Sequence, residues 1–587
     1  PAPDDHDPAG AQPTAGARAP DGPRERAIVD AFADVLGTPV GPDDDFFIHG
    51  GHSLRAMQAI GRINRALKAH YRLNDLYLAR TPAALARLQP DDGTGTIPQA
   101  PDLADYPLTA TQTALWVLEQ QHPGYRGYIV PGLYRVHGAF DPDLLRRAWD
   151  AVTARHEALR TVFVMRDGEP RQRIVDDLPA EWIEEDWRGK PIAAAHARAA
   201  ELTADGFDLV RGPLFRIAWL RTDPPAEAGG VTHATPGSRT THDDTDAGLR
   251  HGLLLLVAHH LITDGWSDQL LARDLSRACA ALGAGQAVVL DPPPPCRFRD
   301  FAFWQRQTED GTQARAHRDA WRRRLLEPTP APALQLPADG PRATTAERLC
   351  AQQAFVLDGP AGQDWRAQIP AARRSAALIA ASFALLHIES GQTDLVIGMP
   401  VAGRERPELQ DQVGLHLNML PLRLRIDPAL SLRALVEQCA HLLDDALSRA
   451  EYPFARLVEA LGIATPPGRH PVFDVMLIIH QHDTPVFRLD GAEVTPLPSP
   501  TPGGRFDLDI ELWLDDAGLH GFLEYDRGLF SSSRAATWGA HLHATLMALA
   551  QAPERSLAAL RTTLTGYSEA RERADFVAQS LALDEDF

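Results

Sequence analysis

The chain has 587 residues, of which 44% are hydrophobic and 23% are charged, and its formal net charge is −20 at pH 7. This length exceeds one ordinary domain, and the composition is that of a globular protein rather than of a disordered one. The acidic charge excludes nucleic acid as an expected partner, because proteins that bind a phosphate backbone normally present a basic face.

The cysteines and the apolar runs predict a cytoplasmic protein without a membrane anchor. The four cysteines are far apart and lack Cys-x-x-Cys spacing, so they are interpreted as reduced thiols rather than as zinc ligands or disulfides. The longest apolar run is shorter than the roughly 20 residues that a membrane span requires. The N-terminus has no signal-peptide core.

A small helical unit is predicted after a lead-in rich in Pro, Ala, Gly and Asp. Phe32 lies on the apolar face of a first helix, which Gly37 ends. Ser53 stands at the start of a second helix, after a glycine pair that permits a tight turn. Thr81 is a natural cap for a last short helix with Pro82 at its first position.

A much larger region follows in which strand and helix patterns alternate, as in an α/β fold. The residues from Asp223 to Arg250 predict a surface insertion, and its histidines, His233 and His242 with His251 beyond them, lack metal-ligand spacing. The proline run Pro292–Pro295 predicts a stiff connector between two halves of this region.

The stretch from Leu253 to Ser267, LLLLVAHHLITDGWS, is the most informative in the chain. Its unbroken apolar run predicts a strand buried on both faces that ends in two histidines. Asp264 and Gly265 then predict a turn, and Ser267 is a candidate cap for the helix that follows. Adjacent strand residues point to opposite faces, so at most one of the two histidines lines a given cavity, and alternation alone does not decide which.

The first unit resembles a known family through its second helix. Asp45-Phe46-Phe47 followed by Gly50-Gly51-His52-Ser53-Leu54 is similar to the peptidyl carrier proteins of non-ribosomal peptide synthetases. As a lone residue Ser53 is interpreted as a helix cap, but the motif implies that it carries 4′-phosphopantetheine. His52 at this position resembles carriers that feed a condensation domain directly.

The large region resembles the condensation domains of the same synthetases. Seven ordered motifs carry this resemblance: TATQTALW, RHEALRTVF, HHLITDGWS, FRDFAFW, VGLHLNMLPLR, AEYPFARL and RHPVFDVM, with RFDLDIELW and GFLEYDRGLF near the end. The resemblance implies a multidomain protein: a small all-α four-helix carrier bundle, then an α/β domain of two chloramphenicol-acetyltransferase-like lobes in a V-shaped pseudodimer.

The resemblance also divides the chain into expected segments. These are a disordered lead-in or linker at 1–22, a carrier domain at 23–92, a linker at 93–102, a condensation domain at 103–553 and the start of a linker toward an adenylation domain at 554–587. Within the condensation domain, the N-terminal lobe is expected at 103–285 and the C-terminal lobe at 296–553.

Site roles follow from the resemblance. His260 is expected at the centre of a tunnel, where it deprotonates the amine nucleophile or positions it, whereas His259 is structural. Asp264 is expected to form a structural ion pair with Arg404, and Gly265 is expected to keep the passage beside His260 open. Trp266 and Asn418 are interpreted as supporting residues.

These assignments imply peptide-bond formation between a donor on Ser53 and the amine on a downstream carrier, without a metal ion. Adenylation domains and a phosphopantetheinyl transferase are the other implied partners. An epimerisation domain and a non-catalytic recruitment platform of the same fold are the alternatives, although the second acidic epimerase motif is not evident and both histidines are present. A heterocyclase is disfavoured because such domains replace these histidines with aspartate.

Overall fold

The computed structural model describes residues 18–49, 51, 53–67, 69, 71, 75–76, 79–90, 96–224, 249–343, 348–463, 468–480, 487–500, 503–514 and 518–566. Its helices, numbered in chain order, include α1 Gly22–Leu36, α2 Ser53–Leu67, α3 Pro82–Arg87, α4 Ala110–Gln121, α5 Pro142–Arg155, α6 Ile192–Ala204, α7 Gly265–Gly283, α8 Phe298–Thr308, α9 Thr312–Leu326, α10 Gly359–Gln368, α11 Arg374–Ser390, α12 Leu432–Leu447, α13 Phe454–Leu461 and α14 Ser532–Gln551. Short 3-10 helices cover Arg126–Tyr128, Glu157–Arg160, Ala371–Arg373 and Pro407–Leu409.

The strands, numbered in the same way, are β1 Tyr106–Pro107, β2 Ile129–Ala139, β3 Thr161–Arg166, β4 Glu169–Ile174, β5 Glu181–Asp186, β6 Phe215–Arg221, β7 Leu249–His259, β8 Cys350–Leu357, β9 Asp394–Val401, β10 Asn418–Arg425, β11 Val475–His480, β12 Ala492–Leu497, β13 Leu508–Leu514 and β14 Leu519–Asp526. They form sheets of three, five and six strands.

The N-terminal helical unit packs around aromatic side chains. Phe32 on α1 is fully buried, and its ring centroid lies 4.6 Å from that of Phe46. Gly37 ends α1 in a left-handed conformation, and Thr81 caps α3 by accepting the N–H of Ala84, so both predicted boundaries are confirmed. Residues 1–17 of the predicted lead-in lie outside the described residues, and the segment between α2 and α3 is described only in part.

The five-stranded sheet, ordered β12-β2-β7-β6-β5, belongs to the N-terminal lobe. β7 lies between β2 and β6, and its leucines alternate between two apolar clusters. Leu254 packs with Trp149 on one side, whereas Leu255 packs with Ala199 on the other. The predicted strand buried on both faces is therefore confirmed.

The six-stranded sheet, ordered β10-β9-β11-β13-β14-β8, forms the C-terminal lobe. Its core helix α11 is buried along nearly its whole length. Residues Ala371–Ser390 are long and apolar enough to cross a membrane by length and composition, but 72% of the most apolar window is buried inside the lobe. This helix is therefore the core of the C-terminal lobe.

Two segments lie at positions that the sequence did not predict. Strand β12, from within the expected C-terminal lobe, pairs with β2 and so forms an edge of the N-terminal sheet, with Leu497 opposite Leu133. After 553, where a linker is expected to start, Leu557, Leu560 and Leu564 pack into the C-terminal core. This stretch therefore lies against the lobe, because its leucines recur at helical spacing.

Candidate active site

The candidate site lies in the turn between β7 and α7. The backbone N–H of His259 donates to the carbonyl of Leu214 at 3.0 Å, and that of His260 donates to the carbonyl of Tyr128 at 2.8 Å. The two histidines are thus held by hydrogen bonds to chain segments on both sides of β7. A turn that starts from so rigid an element can place side chains reproducibly.

His259 is the more buried of the two histidines, with 2% of its surface exposed. Its Nδ1 accepts the N–H of Leu261 at 3.1 Å, and within the described part of the chain its Nε2 has no hydrogen-bond partner. Burial lowers the pKa of His259 to about 3, so the imidazole is neutral near pH 7. These contacts fit a packing role.

His260 is half-buried, and its orientation is set by one hydrogen bond. Nδ1 lies 2.7 Å from the carbonyl oxygen of Thr263. Because a carbonyl can only accept, Nδ1 must carry the proton, and the lone pair of the neutral ring is on Nε2. The ring of Tyr128 lies edge-on to the imidazole, with 6.3 Å between the centroids. The turn therefore presents a base with a fixed tautomer.

The surroundings of His260 favour its neutral form. Burial lowers the pKa of His260 below its ordinary value of 6.5, and the positive charge of Arg505 lowers it further. The hydrogen bond to Thr263 opposes these effects. A histidine in this state can accept a proton at physiological pH without first losing one.

Asp264 lies in the same turn and contacts Arg404, which follows β9 in the chain. Nη1 of Arg404 donates to Oδ2 of Asp264 at 2.7 Å, and both side chains are at most 2% exposed. The N–H of His416 donates to the same oxygen at 2.9 Å. Burial alone would raise the pKa of the Asp264 carboxyl, but Arg404 and these donors outweigh it and lower the pKa to about 2. The carboxylate is fully occupied by fixed donors, as a structural ion pair requires.

Asp264, rather than Ser267, caps α7, which corrects the prediction from the sequence. Oδ1 of Asp264 accepts the N–H of Ser267 at 2.8 Å and the Ser267 hydroxyl at 2.8 Å. Either residue type suits an N-cap, so spacing alone could not distinguish them. Ser267 instead bridges Asp264 to the C-terminal lobe, because its Oγ accepts the backbone N–H of Gly414 at 3.1 Å.

Gly265 is the exposed first residue of α7. A methyl group built on it would meet no heavy atom within 4 Å. A side chain here would therefore extend into the open space next to the histidine turn. The expected role of Gly265, keeping a passage beside His260 open, stays a prediction.

Trp266 and Asn418 have structural contacts. Nε1 of Trp266 donates to the carbonyl of Gln410 at 2.9 Å, and the Arg404 guanidinium lies 5.9 Å from the centre of the indole ring. Nδ2 of Asn418 donates to the carbonyls of Ala450 and Tyr452, and its Oδ1 accepts the N–H of Phe454. Asn418 thus holds the start of α13, which leaves little of its polar capacity for a substrate.

A cavity of about 340 Å³ lies at the end of α4, on the Tyr128 side of the turn. Its walls include Tyr125, Arg348 and Gly504. The Tyr125 and Tyr128 rings lie 5.7 Å apart, and Tyr128 in turn faces His260. Two neighbouring aromatic rings thus lie between the wall of this cavity and His260.

The helical unit contacts the opposite side, where α7 begins. Trp266 and Ala372 pack against the apolar cluster of that unit. A methyl group at Gly61, on α2, would lie 3.2 Å from Oε1 of Gln410. The helix that starts at Ser53 is therefore close to the opening beside Gly265. The Ser53 and His52 side chains lie outside the described residues.

Three residues at the site were missed from the sequence. Thr263 acts through its backbone carbonyl, which no side-chain pattern reveals. Tyr128 is the last residue before β2, so a search for aromatics at strand ends could have found it. Arg505 belongs to RFDLDIELW, a segment whose resemblance to condensation domains does not reveal that its arginine lies near His260. Within the described ranges, no group of three or more His, Cys, Asp or Glu residues could hold a metal ion.

Comparisons with known proteins identify both units. Residues 103–225 and 247–570 match the family model described as the condensation domain, and residues 26–88 match the phosphopantetheine attachment site. The chain is 34% identical to phosphinothricin tripeptide synthetase PhsC of Streptomyces viridochromogenes over 79% of its length, and 30% identical to tyrocidine synthase 2 of Brevibacillus parabrevis over 91%.

The chain spans only part of these relatives, 41% of the first and 14% of the second. Among solved structures, it is similar to the X-domain from teicoplanin biosynthesis, with a TM-score of 0.67 and 24% identity. That similarity covers 79% of this chain and 99% of the X-domain, and it shows the shared fold.

Replacing Asp264 with alanine should destabilise the protein, because Arg404 would be left buried without its carboxylate. The loss of one partner of a buried pair costs about 3–5 kcal/mol, so we expect a clearly lower melting temperature in calorimetry. Asp268→Asn is the matched control on the same helix, because asparagine keeps the acceptor for Thr263. An unchanged melt with selective loss of turnover would instead make Asp264 catalytic.

The imidazole of His260 should take up a proton at a lower pH in the folded protein than in the unfolded chain, because its pKa is lowered by burial and by Arg505. NMR titration of 13C-labelled histidine, assigned with His260→Ala, measures this directly, and the protein unfolded in urea gives the reference titration. A titration midpoint at or above the unfolded value would show that burial and Arg505 do not lower the pKa of His260.

Proposed function

Because the chain belongs to the condensation-domain family of non-ribosomal peptide synthetases and carries a phosphopantetheine attachment domain ahead of that domain, we propose that it forms peptide bonds. Ser53 holds the donor aminoacyl or peptidyl thioester, and the amine of an aminoacyl group on a downstream carrier attacks it. The observation that carries this proposal is the fixed neutral tautomer of His260, with the lone pair on Nε2.

The lone pair on Nε2 of His260 supports the transfer of a proton from the amine to the leaving thiolate. The amine nitrogen forms the new C–N bond to the thioester carbon while the C–S bond breaks. Nε2 accepts the proton that the amine loses, and the proton then passes to the departing thiolate. Because the pKa of His260 is lowered, the imidazolium is short-lived, so the same ring also serves to hold the amine in position.

The attachment site suits a phosphodiester. Ser53 is the first residue of α2, and the first turn of that helix carries no acidic residue. A helix N-terminus favours a negative group, so the local backbone would stabilise a phosphate bonded to Ser53. 4′-Phosphopantetheine supplies the flexible arm and the thiol to which the acyl donor is bound.

The position of the carrier supports its assignment to the donor. The carrier packs against Trp266, in the first turn of α7, and Gly61 of its α2 lies close to Gln410. Both contacts are near Gly265, the first residue of α7. The cavity near Tyr125 is lined by none of the residues named above as carrier contacts, and we assign it to the acceptor arm. The short segment 93–102 keeps the carrier close, which raises its effective concentration at this face.

The partners that we propose are a downstream acceptor carrier, adenylation domains that load both carriers and a phosphopantetheinyl transferase. We place the reaction in the cytoplasm. The four cysteines are free, and burial raises the pKa of each thiol, which suits a reducing compartment.

A second candidate function is a recruitment platform of the same fold without catalysis. It is favoured by the similarity to the X-domain, which a further structure describes in complex with OxyB. The fixed tautomer of His260 favours catalysis, because a platform has no need of a neutral base. Loss of turnover in His260→Ala separates the two functions.

Ser53 should be the single site of phosphopantetheinylation. Incubation with coenzyme A and a phosphopantetheinyl transferase should add the mass of one arm to the wild-type protein and none to Ser53→Ala. Ser276→Ala, which changes a serine of the α7 helix, should still gain one arm. If Ser53→Ala gained the same mass, the carrier assignment would fail.

Condensed product should accumulate on the acceptor carrier rather than on Ser53. The experiment loads Ser53 with an aminoacyl group, offers an aminoacyl thioester on a separate carrier and locates the product by mass spectrometry of the intact proteins. His260→Ala should lower the rate at least 100-fold, the lower end of typical general-base contributions of about 10²–10⁴, with an unchanged melting temperature. Product on Ser53 would reverse the direction, and undiminished turnover would remove His260 from the mechanism.

A further inference from the structure

One face of the C-terminal sheet carries carboxylates that the reaction above does not use. On β13, Leu508, Ile510 and Leu512 point into the core of the lobe. Asp509 and Glu511 alternate with them, so they point to the opposite face of the sheet. This face carries polar residues where a strand of a closed core would carry apolar ones.

A second carboxylate lies directly across from the first. Asp509 is paired with Glu524 in the β13–β14 register, and Glu524 alternates with the core residues Leu523 and Tyr525. Nε2 of Gln352, on β8, donates to Glu524 at 3.0 Å. Like charges directly opposite each other on antiparallel strands are destabilising, so the pair requires a compensating group.

Within the described residues, the buried carboxyl group of Asp509 lacks a full set of hydrogen-bond partners. It is 6% exposed, and its Oδ1 has no hydrogen-bond partner in the described part of the chain. Burial raises the pKa of Asp509 to about 8 and also raises that of Glu524. A buried carboxyl oxygen without a donor costs free energy, which a bound cation or hydrogen-bond donor would recover.

Arg505 is the cation that most lowers the pKa of Asp509, but it does not neutralise the pair. Its guanidinium lies 5.7 Å from the centre of the Tyr128 ring, toward His260. The same guanidinium also lowers the pKa of Glu524, so one positive charge serves two carboxylates. Both carboxyl groups nevertheless keep a raised pKa.

Two other basic side chains near this face are hydrogen-bonded to other carboxylates. Arg348 lowers the pKa of Asp509 less than Arg505 does, and its Nη1 donates to Asp507 at 2.6 Å. His480 is hydrogen-bonded to Glu511 at 2.7 Å. These two basic groups are therefore engaged by Asp507 and Glu511, and one further cationic group would allow Asp509 and Glu524 to be ionised together.

We propose that Asp509 and Glu524 bind the cationic side chain of the acceptor amino acid, an ammonium or a guanidinium, while its α-amine lies beside His260. This inference rests on the proposed function. The cavity near Tyr125 is lined by Gly504, the chain neighbour of Arg505, and Arg505 lies over the Tyr128 ring that faces His260. An acceptor that entered there would come close to Arg505 and to Asp509, whose charge acts on Arg505. The acceptor would accordingly be a basic amino acid.

The test compares acceptors that differ only in the terminal charge. Calorimetry measures the binding of lysyl and norleucyl pantetheine amides to protein whose Ser53 arm carries no acyl group, so that no donor is present to react, and turnover is measured with the corresponding carrier-bound thioesters. We expect the wild-type protein to bind the lysyl amide roughly tenfold or more tightly, as a hydrogen bond to a charged group allows. Asp509→Asn and Glu524→Gln should each reduce this ratio toward one, whereas Glu493→Gln, which changes an exposed residue of β12, should preserve it.

Equal binding of the two amides by the wild-type protein would overturn the inference. So would a preference for lysine that survives in both variants. The two readouts also separate this inference from the function on which it rests. A binding preference that both variants remove, without condensation of either acceptor, would support the subsite and contradict peptide-bond formation.

Discussion

The buried ion pair between Asp264 and Arg404 is the interaction on which the geometry of the site depends. Asp264 belongs to the turn after β7, in the N-terminal lobe, and Arg404 follows β9 in the C-terminal lobe. The pair therefore joins the two lobes only four residues beyond His260. Because both side chains are almost fully buried, neither can separate from the other without a large desolvation cost. The lobes are thus fixed relative to each other at the point where the chemistry takes place.

The same contact extends to the carrier through one aromatic residue. Trp266 lies against the Arg404 guanidinium on one side and the apolar cluster of the carrier on the other. Docking of the carrier and alignment of the histidine turn consequently share a side chain. The Tyr128 side of His260 is built differently, from the paired rings of Tyr125 and Tyr128 and the guanidinium of Arg505.

Much of the fold and of the site could be predicted because the informative residues carry a periodic or spaced pattern. The leucines of β7 alternate on two buried faces, and the motif around His260 identified the turn. The tautomer of His260 could not be predicted, because it depends on the Thr263 carbonyl, and every residue has a carbonyl. β12 was missed because AEVTPL contains Pro496, which a central strand excludes but an edge strand tolerates. Asp509 was missed because strand alternation predicts the face of the sheet on which a residue lies, but not which charged residue lies opposite it on the next strand.

Strand β12 has a consequence for the exchange of parts between synthetases. A chimaera that replaced everything after the connector at Pro292–Pro295 would also replace an edge strand of the N-terminal sheet. Six pairs in register, from Ala492 with Gly138 to Leu497 with Leu133, would then have to be matched by a foreign sequence. The two halves of the gene are therefore not two separable modules. Recombination that preserved the native partner of β2 would carry residues 487–500 together with the first lobe, although they are encoded in the second.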